Sequence, residues 1–299
     1  MKLLVLGKNS SVGKELAEAL PPDKNHIYVD SQTCDLLSEQ ETGELIWAIQ
    51  PDVVIMLAAT VGGIFDNVNR PYDYLTENVR MQTNVIEACR KNKVGRLLTL
   101  SSSCAYPDRN IYPSKEHQLY EGAPARSNLG YGLAKRLLIE QIQACNSQYG
   151  TNYSCLIPTN LYGKFSKYDE HSHFLGKLIR KIADYNAKKI DKIEMMGGSS
   201  AVRSYLYIPD LVQCIKLWLD DTGGPLIANI SPIEKYSIKV ITRIALDACN
   251  CDADVKFLDE GMAGQINKEI SSDLLMSRYS GMTFTSLRDG IRNVYEAIC

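Results

Sequence analysis

The fold is decided by a stretch near the N-terminus, residues 3–13, which reads LLVLGKNSSVG in a chain of 299 residues. The four apolar residues predict a buried strand, and the apolar spacing that follows predicts a helix. Gly7 allows a tight turn between them, and Gly13 lets the helix and the strand approach closely. This pattern predicts a dinucleotide site, because the amides that begin the helix can receive a pyrophosphate. Ser10 replaces the usual middle glycine, and a plain connection between strand and helix remains the alternative.

The second predicted strand ends at Asp30, about 20 residues beyond the glycines. A carboxylate at this point suits the ribose hydroxyls of an adenosine and repels a 2′-phosphate, which favours NADH over NADPH. Lys8 could still offer a cation to a phosphate, so NADPH stays open. A turn or helix-capping role for Asp30 is the alternative interpretation.

Continuous apolar runs recur along the first half of the chain, at residues 53–59, 96–100 and 153–157. Such runs are typical of parallel strands that are covered on both faces. Because predicted helices alternate with them, the sequence predicts an α/β fold with a doubly wound parallel sheet of the Rossmann type. Active chemistry is expected at the carboxyl ends of these strands.

The pattern changes after residue 163, where polar and basic segments replace the regular alternation. We expect residues 1–163 to form a dinucleotide-binding domain. Residues 164–299 are expected to form mainly a smaller substrate lobe, which partly returns to the sheet at residues 227–230.

The composition is that of a globular protein, with 45% hydrophobic residues, 23% charged residues and a net charge of −2. This charge gives no indication of a polyanion-binding surface, so we expect no nucleic-acid partner. The nine cysteines include no Cys-x-x-Cys pair, which indicates reduced thiols rather than disulfides or a zinc site. The N-terminal apolar segment is too short for a signal peptide, and no apolar run is long enough to span a bilayer. We therefore expect a cytoplasmic protein without membrane contact.

The strongest catalytic pattern combines Ser102, at the end of a predicted strand, with Tyr131 and Lys135 on a predicted helix. The tyrosine and the lysine lie one turn apart on the same helix face. An ammonium close to a phenol lowers the tyrosine pKa, so Tyr131 could exchange a proton near neutral pH. Ser102 would offer a hydroxyl to the same substrate oxygen. A chance pair on a surface helix is the alternative, and the glycine turn together with the serine-rich strand end argues against it.

Several stretches together resemble the GDP-L-fucose synthases of the extended short-chain dehydrogenase/reductase superfamily. They are LAATVGGI at residues 57–64, SSCAYP at 102–107, YGLAK at 131–135 and PTNLYG at 158–163. The sequence SH at 172–173, followed by LIRK at 178–181, adds to the resemblance. The first glycine turn looks more like that of dTDP-4-keto-rhamnose reductases in the same superfamily.

The resemblance implies a two-stage reaction in which GDP-4-keto-6-deoxy-mannose is epimerised at carbons 3 and 5 and then reduced at carbon 4 to GDP-L-fucose. In the family, the positions of Cys104 and His173 supply the base and the acid for ring inversion. A thiol and an imidazole both titrate near working pH, which suits this task. Tyr131 would protonate the new hydroxyl, and Lys135 would also hold the ribose of a nicotinamide cofactor, NADPH or NADH.

Both inversion residues have plainer alternatives. Cys104 could be a small buried filler, and His173 could be polar surface at a helix start. Nucleotide-sugar dehydratases of the superfamily carry an acidic pair where this chain has Ser103 and Cys104, so a dehydratase is not expected. His171 lies two residues before His173, but such a pair without further ligands rarely binds a metal, and no metal is predicted.

The resemblance also implies two binding sets. Lys181 stands where the family commonly has arginine, and Met196 replaces a family tryptophan near the base. The cofactor-binding set is Gly7, Ser10, Ser11, Val12, Gly13, Asp30, Leu57, Ala58, Ala59, Tyr131, Lys135, Pro158 and His173. The substrate-binding set is Ser102, Ser103, Cys104, Asn160, Lys181, Met196, Arg203 and Lys268, of which Arg203 and Lys268 match positions that hold the diphosphate.

Two long predicted helices, at about residues 72–91 and 131–148, resemble those that pair in the dimer interface of this superfamily, which implies a homodimer. Two further functions stay open. One is a C4 reductase or an epimerase for another 4-keto-deoxy nucleotide sugar, GDP-linked or dTDP-linked, because the base pocket departs from the family. The other is a non-catalytic dinucleotide sensor, which would not need the Ser102, Tyr131 and Lys135 group.

Overall fold

The computed structural model describes residues 1–169, 172–258 and 265–299. His171, named above as part of a metal alternative, lies outside the described residues. The strands in chain order are β1 (Leu3–Leu6), β2 (His26–Val29), β3 (Val53–Met56), β4 (Arg96–Leu100), β5 (Asn152–Pro158), β6 (Asn160–Tyr162), β7 (Ile193–Met196), β8 (Val202–Arg203), β9 (Tyr205–Tyr207), β10 (Ile227–Ile230), β11 (Tyr236–Ser237), β12 (Val255–Leu258) and β13 (Asn267–Lys268). The helices are α1 (Ser11–Ala19), α2 (Glu39–Ile49), α3 (Ile64–Asn69), α4 (Pro71–Lys91), α5 (Leu129–Tyr149), α6 (Phe174–Asn186), α7 (Ile208–Asp220), α8 (Ile238–Ala248), α9 (Asp273–Arg278) and α10 (Leu287–Ile298).

The central sheet has six strands in the order β10-β5-β4-β3-β1-β2. All neighbouring pairs are parallel. The order reverses between β1 and β3, which is the topology of a doubly wound sheet. The predicted α/β Rossmann-type fold is therefore confirmed.

Alternate residues of β1 enter different cores, because successive side chains of a strand point to opposite faces. Leu4 and Leu6 belong to a hydrophobic cluster shared with α4 and α5. Leu3 and Val5 belong to a second cluster, shared with α1 and α7. Every residue of β1 and β3 is buried, so these strands need apolar side chains at consecutive positions.

The C-terminal half contains a third hydrophobic cluster, which joins α6, α8 and α10. Beside this cluster, β7 pairs with β12, and β8 lies between β11 and β13. Strand β10, in contrast, pairs with β5 at the edge of the central sheet. The C-terminal half thus contributes both a separate core and one strand of the main sheet.

The carboxyl ends of β4 and β5 lie side by side, because Leu100 is in register with Leu156. The chain leaves β4 through Ser102 and a short helical turn, Ser103–Ala105, against which α5 packs. This packing brings the start of α5 to the same sheet edge. In the part of the chain that the structure describes, no helix is long and apolar enough to cross a membrane.

Candidate active site

The first glycine turn is shaped by two close backbone approaches. Gly7 has φ +105°, and a Cβ there would lie 2.6 Å from the amide nitrogen of Ala58. A Cβ on Gly13 would lie 2.2 Å from the carbonyl oxygen of Gly7. The Ser10 hydroxyl accepts a hydrogen bond from the Gly13 amide at 2.9 Å and donates one to the Gly7 carbonyl at 2.8 Å. The serine therefore caps α1, and the turn fits a pyrophosphate at the helix start, next to Ser11 and Val12.

Asp30 follows β2 and is held by hydrogen bonds from two segments. Asn9 of the glycine turn donates its side-chain amide to one carboxylate oxygen at 3.0 Å. The backbone amides of Gln32 and Thr33 donate to the other oxygen at 3.1 and 3.2 Å. Although partial desolvation opposes them, these bonds lower the pKa of Asp30, so the carboxylate is ionised at neutral pH.

The remaining predicted cofactor positions lie at the same edge of the sheet. Leu57, Ala58 and Ala59 follow the end of β3, and the Leu57 and Ala58 amides bond the Leu6 carbonyl at 2.8 and 3.0 Å. Pro158 closes β5. Together with the glycine turn and Asp30 they line up along the carboxyl ends of the strands, which is where a dinucleotide binds in open α/β sheets.

Ser102, Tyr131 and Lys135 come together at the end of β4. Ser102 lies close enough to the Tyr131 phenol to lower its pKa through hydrogen bonding, although burial outweighs this effect. The Lys135 ammonium nitrogen lies 5.8 Å from the centroid of the Tyr131 ring. It donates to the carbonyl oxygen of Leu100 at 2.9 Å, so its charge is directed to the strand end rather than to the phenol oxygen.

The expectation that Lys135 lowers the tyrosine pKa is wrong. Burial raises the pKa of the Tyr131 phenol well above its ordinary value, and negative charge on Cys104 raises it further. Burial also lowers the pKa of Lys135 to about 8. Tyr131 is therefore fully protonated at neutral pH, which suits a proton donor rather than a base.

Cys104 is half-buried and faces a lysine from the other half of the chain. The Lys268 ammonium nitrogen lies 2.9 Å from its sulfur. Burial by itself would raise the pKa of the thiol, but the Lys268 charge and hydrogen bonds outweigh it and lower the pKa. The Ser102 hydroxyl accepts a hydrogen bond from the Cys104 amide at 3.2 Å, which sets the direction of the turn, and Ser103 is buried behind it.

His173 immediately precedes α6, makes no capping hydrogen bond with its side chain and exposes part of its surface to solvent. The surrounding protein still lowers the pKa of His173, first because it excludes water from the ring. Lys268 and Lys177 lower this pKa further by repelling the protonated ring. Lys268 therefore acts on both Cys104 and His173, the two residues predicted for ring inversion.

Arg203 joins this group from the neighbouring strand. It is in register with Lys268 across the pairing of β8 and β13. Its guanidinium donates to the carbonyl oxygen of Gln265 at 2.6 Å. Burial lowers the pKa of Arg203, and the charge of Cys104 acts in the opposite direction, so Arg203 and Cys104 are electrostatically coupled.

Of the remaining predicted substrate residues, Asn160 and Lys181 donate to backbone carbonyl groups, and Met196 is exposed. The Asn160 side chain donates to the carbonyl oxygen of Ser204 at 2.9 Å. The Lys181 ammonium donates to the carbonyl oxygen of Glu194 at 2.6 Å. Met196 ends β7 with 58% of its surface exposed, which leaves an apolar side chain at the rim of the lobe.

Sequence reasoning missed Asn128 and Lys177. Asn128 is hydrogen-bonded to the Cys104 sulfur, a contact between residues that are distant in the chain. No periodic pattern in the sequence could have predicted this contact. Lys177 lies one helical turn after His173, so the spacing of four residues could have revealed this neighbour.

Comparisons with known proteins agree with this geometry. Residues 3–231 match the model of the NAD dependent epimerase/dehydratase family. A GDP-L-fucose synthase from Sinorhizobium fredii is 32% identical over 298 residues, which cover 99% of this chain and 95% of that protein. A GDP-L-colitose synthase from Yersinia pseudotuberculosis is 34% identical over 254 residues, 82% of either chain. The crystal structure of a GDP-L-fucose synthetase from Naegleria fowleri, bound to NADP, superposes with a TM-score of 0.85 at 26% identity and covers 99% of this chain and 91% of that one.

The family match spans most of the chain, and the Sinorhizobium relative aligns over nearly all of it. The resemblance drawn from the short motifs is thereby confirmed. This chain belongs to the NAD dependent epimerase/dehydratase family, in the group that contains the GDP-L-fucose synthases.

Proposed function

We propose that this protein is a nucleotide-sugar 3,5-epimerase and NAD(P)H-dependent 4-keto reductase that converts GDP-4-keto-6-deoxy-mannose to GDP-L-fucose. One arrangement carries the proposal: the Cys104 thiol, 2.9 Å from the Lys268 ammonium that lowers its pKa, lies close to the Tyr131 phenol, whose pKa burial raises. Opposite shifts of this kind separate a base from an acid at the same pH. The relatives from Sinorhizobium fredii and Naegleria fowleri support the choice of substrate.

The epimerisation needs a proton to leave a carbon beside the ketone and another to return from the opposite face. Cys104 removes the proton, and the electron pair moves onto the carbonyl oxygen. Ser102 and Tyr131 stabilise that oxygen by donating hydrogen bonds. His173, once it has taken up a proton from water, returns a proton to the other face and becomes neutral again, and Cys104 loses its proton to water.

The reduction uses the same carbonyl oxygen. Bound NADH or NADPH supplies the hydride to carbon 4, as the NADP of the Naegleria relative and the family description support. Tyr131 donates its phenolic proton to the oxygen. Lys135 orients the nicotinamide ribose, and the cofactor-binding set named above holds the rest of the dinucleotide.

The two parts of the chain are proposed to bind different ligands. Residues 1–163 hold the dinucleotide, and residues 164–299 mainly hold the nucleotide sugar. Arg203 and Lys268 stand in register on adjacent strands, and two cations side by side suit a diphosphate. Asn160, Lys181 and Met196 complete the proposed substrate set.

The epimerase half is tested by incubation with GDP-4-keto-6-deoxy-mannose in heavy water without cofactor. We expect deuterium at carbons 3 and 5, detected by NMR, and GDP-L-fucose after reduced cofactor is added. The Cys104→Ser variant should exchange deuterium at least roughly 100-fold more slowly, because a hydroxyl is a far weaker base than the thiolate. Cys251→Ser is the matched control. Absence of deuterium in the unmodified protein would refute the epimerase assignment.

A second candidate is the same chemistry on another 4-keto-deoxy nucleotide sugar. The exposed Met196, at a position where the family has tryptophan near the base, favours it, and so does the GDP-L-colitose synthase among the relatives. Turnover of GDP-linked and dTDP-linked 4-keto sugars in parallel assays distinguishes the two candidates.

We also propose a homodimer built on α4 and α5. Leu129, Leu133 and Leu137 repeat at four-residue intervals on α5 and are 36%, 38% and 41% exposed. Tyr72 of α4 is 73% exposed. An exposed apolar stripe of this kind supports an interface between copies of the chain.

Replacement of Leu133 and Leu137 by glutamate should convert the dimer to monomer, because four like charges per dimer would face each other in the interface. Sedimentation velocity measures the change. Val240→Glu, at an exposed apolar position on α8, is the control and should leave the mass unchanged. A monomeric unmodified protein would refute the dimer.

We further propose a cytoplasmic location. All nine cysteines are free thiols. Free thiols persist in a reducing compartment, and the proposed nucleotide-sugar chemistry requires Cys104 to stay reduced. Cell fractionation tests this location.

A further inference from the structure

The Cys104 sulfur is surrounded by hydrogen-bond donors from three segments. Lys268 of β13 approaches it to 2.9 Å, and the side chains of Ser102 and Asn128 also bond to it. The Asn128 side-chain oxygen is buried and has no partner among the described residues. This arrangement is consistent with an amide nitrogen that points at the sulfur.

The ammonium at 2.9 Å and the two further donors all favour the charged form of the sulfur. A neutral thiol is a weak acceptor, whereas a thiolate accepts charge-assisted hydrogen bonds. Ser102 has one proton to give and also contacts Tyr131. With an anionic sulfur, the hydroxyl can give this proton to the sulfur before substrate binds.

We propose that Lys268 and Asn128 hold Cys104 as a thiolate before substrate binds, so that the epimerase base is already ionised. Both are positioning residues that act through Cys104, and for Lys268 this is in addition to the proposed diphosphate contact. That this thiolate is the epimerase base rests on the proposed function. The proton of the thiol has passed to water, and the ammonium of Lys268 balances the charge.

Other charged groups face the sulfur from each neighbouring element. Arg203 of β8 adds a second positive charge, and Tyr131 of α5 stays protonated beside the anion. His173 at the start of α6 faces the same lysine. The lysine therefore favours an ionised Cys104 and disfavours the protonated form of His173, so His173 must take up a proton from water before it acts as the acid.

The test is the rate at which iodoacetamide alkylates Cys104, followed by peptide mass spectrometry from about pH 5 to about pH 10. Only the thiolate reacts, so the rate reports its fraction. In the Lys268→Met variant we expect the midpoint to move to higher pH and the rate at pH 7 to fall at least about tenfold. Lys268→Arg keeps the charge and should largely restore the rate, and Asn128→Leu should shift the midpoint less in the same direction.

Two controls separate ionisation from misfolding. Lys256→Met removes an exposed lysine from β12 and should leave the Cys104 profile unchanged. The exposed Cys299 in the same digest is an internal reference for reagent and fold. Identical Cys104 profiles in the unmodified protein and in Lys268→Met would overturn the inference.

The alkylation assay needs no substrate, so it tests the role of Lys268 and Asn128 independently of the proposed function. A shifted profile without deuterium exchange would remove only the epimerase assignment. Deuterium exchange with an unshifted profile would remove only the role of Lys268 and Asn128.

Discussion

Replacement of Tyr131 by phenylalanine should slow reduction of the 4-keto sugar by a factor of about 100 to 10,000, the usual contribution of a positioned general acid. Phenylalanine keeps the ring and its packing but removes the proton that the carbonyl oxygen needs. Because burial raises the pKa of the phenol, the unmodified protein carries this proton throughout the neutral range. The fall in absorbance of the reduced cofactor measures the rate.

In the same variant, the rate of deuterium exchange should fall by a smaller factor than the rate of reduction, because Ser102 still donates to the oxygen during epimerisation. Tyr149→Phe, at the exposed end of α5, is the matched control and should behave as the unmodified protein. Retention of cofactor affinity, measured by fluorescence titration, checks that the site is intact. Reduction by Tyr131→Phe at a near-normal rate would mean that another group supplies the proton.

The unmodified protein should bind NADH at least roughly tenfold more tightly than NADPH. The ionised Asp30 can accept hydrogen bonds from two ribose hydroxyls, and its charge repels a 2′-phosphate. Asn9 fixes one oxygen of the carboxylate, and among the described residues no lysine or arginine forms an ion pair with Asp30.

Replacement of Asp30 by arginine should reverse the preference, with a change on the order of 100-fold in the ratio of the two dissociation constants. Isothermal titration with each cofactor measures the ratio without turnover. Asp30→Ser removes the charge without adding a cation and should give similar affinities for both cofactors. Equal affinities in the unmodified protein would show that the Asp30 carboxylate does not distinguish a ribose 2′-hydroxyl from a 2′-phosphate.

The sequence predicted which residues meet at the end of β4, but it did not predict their pKa shifts. Ser102, Tyr131 and Lys135 could be found from spacing, since residues four apart on a helix share a face. The direction in which the Tyr131 pKa shifts could not be predicted from spacing. It depends on burial and on the charge of Cys104, and the lysine bonds the Leu100 carbonyl instead.

The local pattern was sufficient to predict the central sheet, because buried parallel strands need consecutive apolar residues, the turn after β1 needs Gly7, and the close approach of α1 needs Gly13. It also determined the two long helices α4 and α5, whose ends lie within about two residues of the predicted limits. Local patterns of the sequence indicate these features, although most neighbouring strands pair across 40 or more residues of the chain.

The partners of the reactive groups, in contrast, followed only from the three-dimensional fold. Lys268 meets Cys104 across 164 positions, and Asn128 reaches the same sulfur from the segment before α5. Charges act through space at a few ångströms, whatever their separation along the chain. The ionisation of a base and of its acid therefore follows from the fold and not from the local pattern.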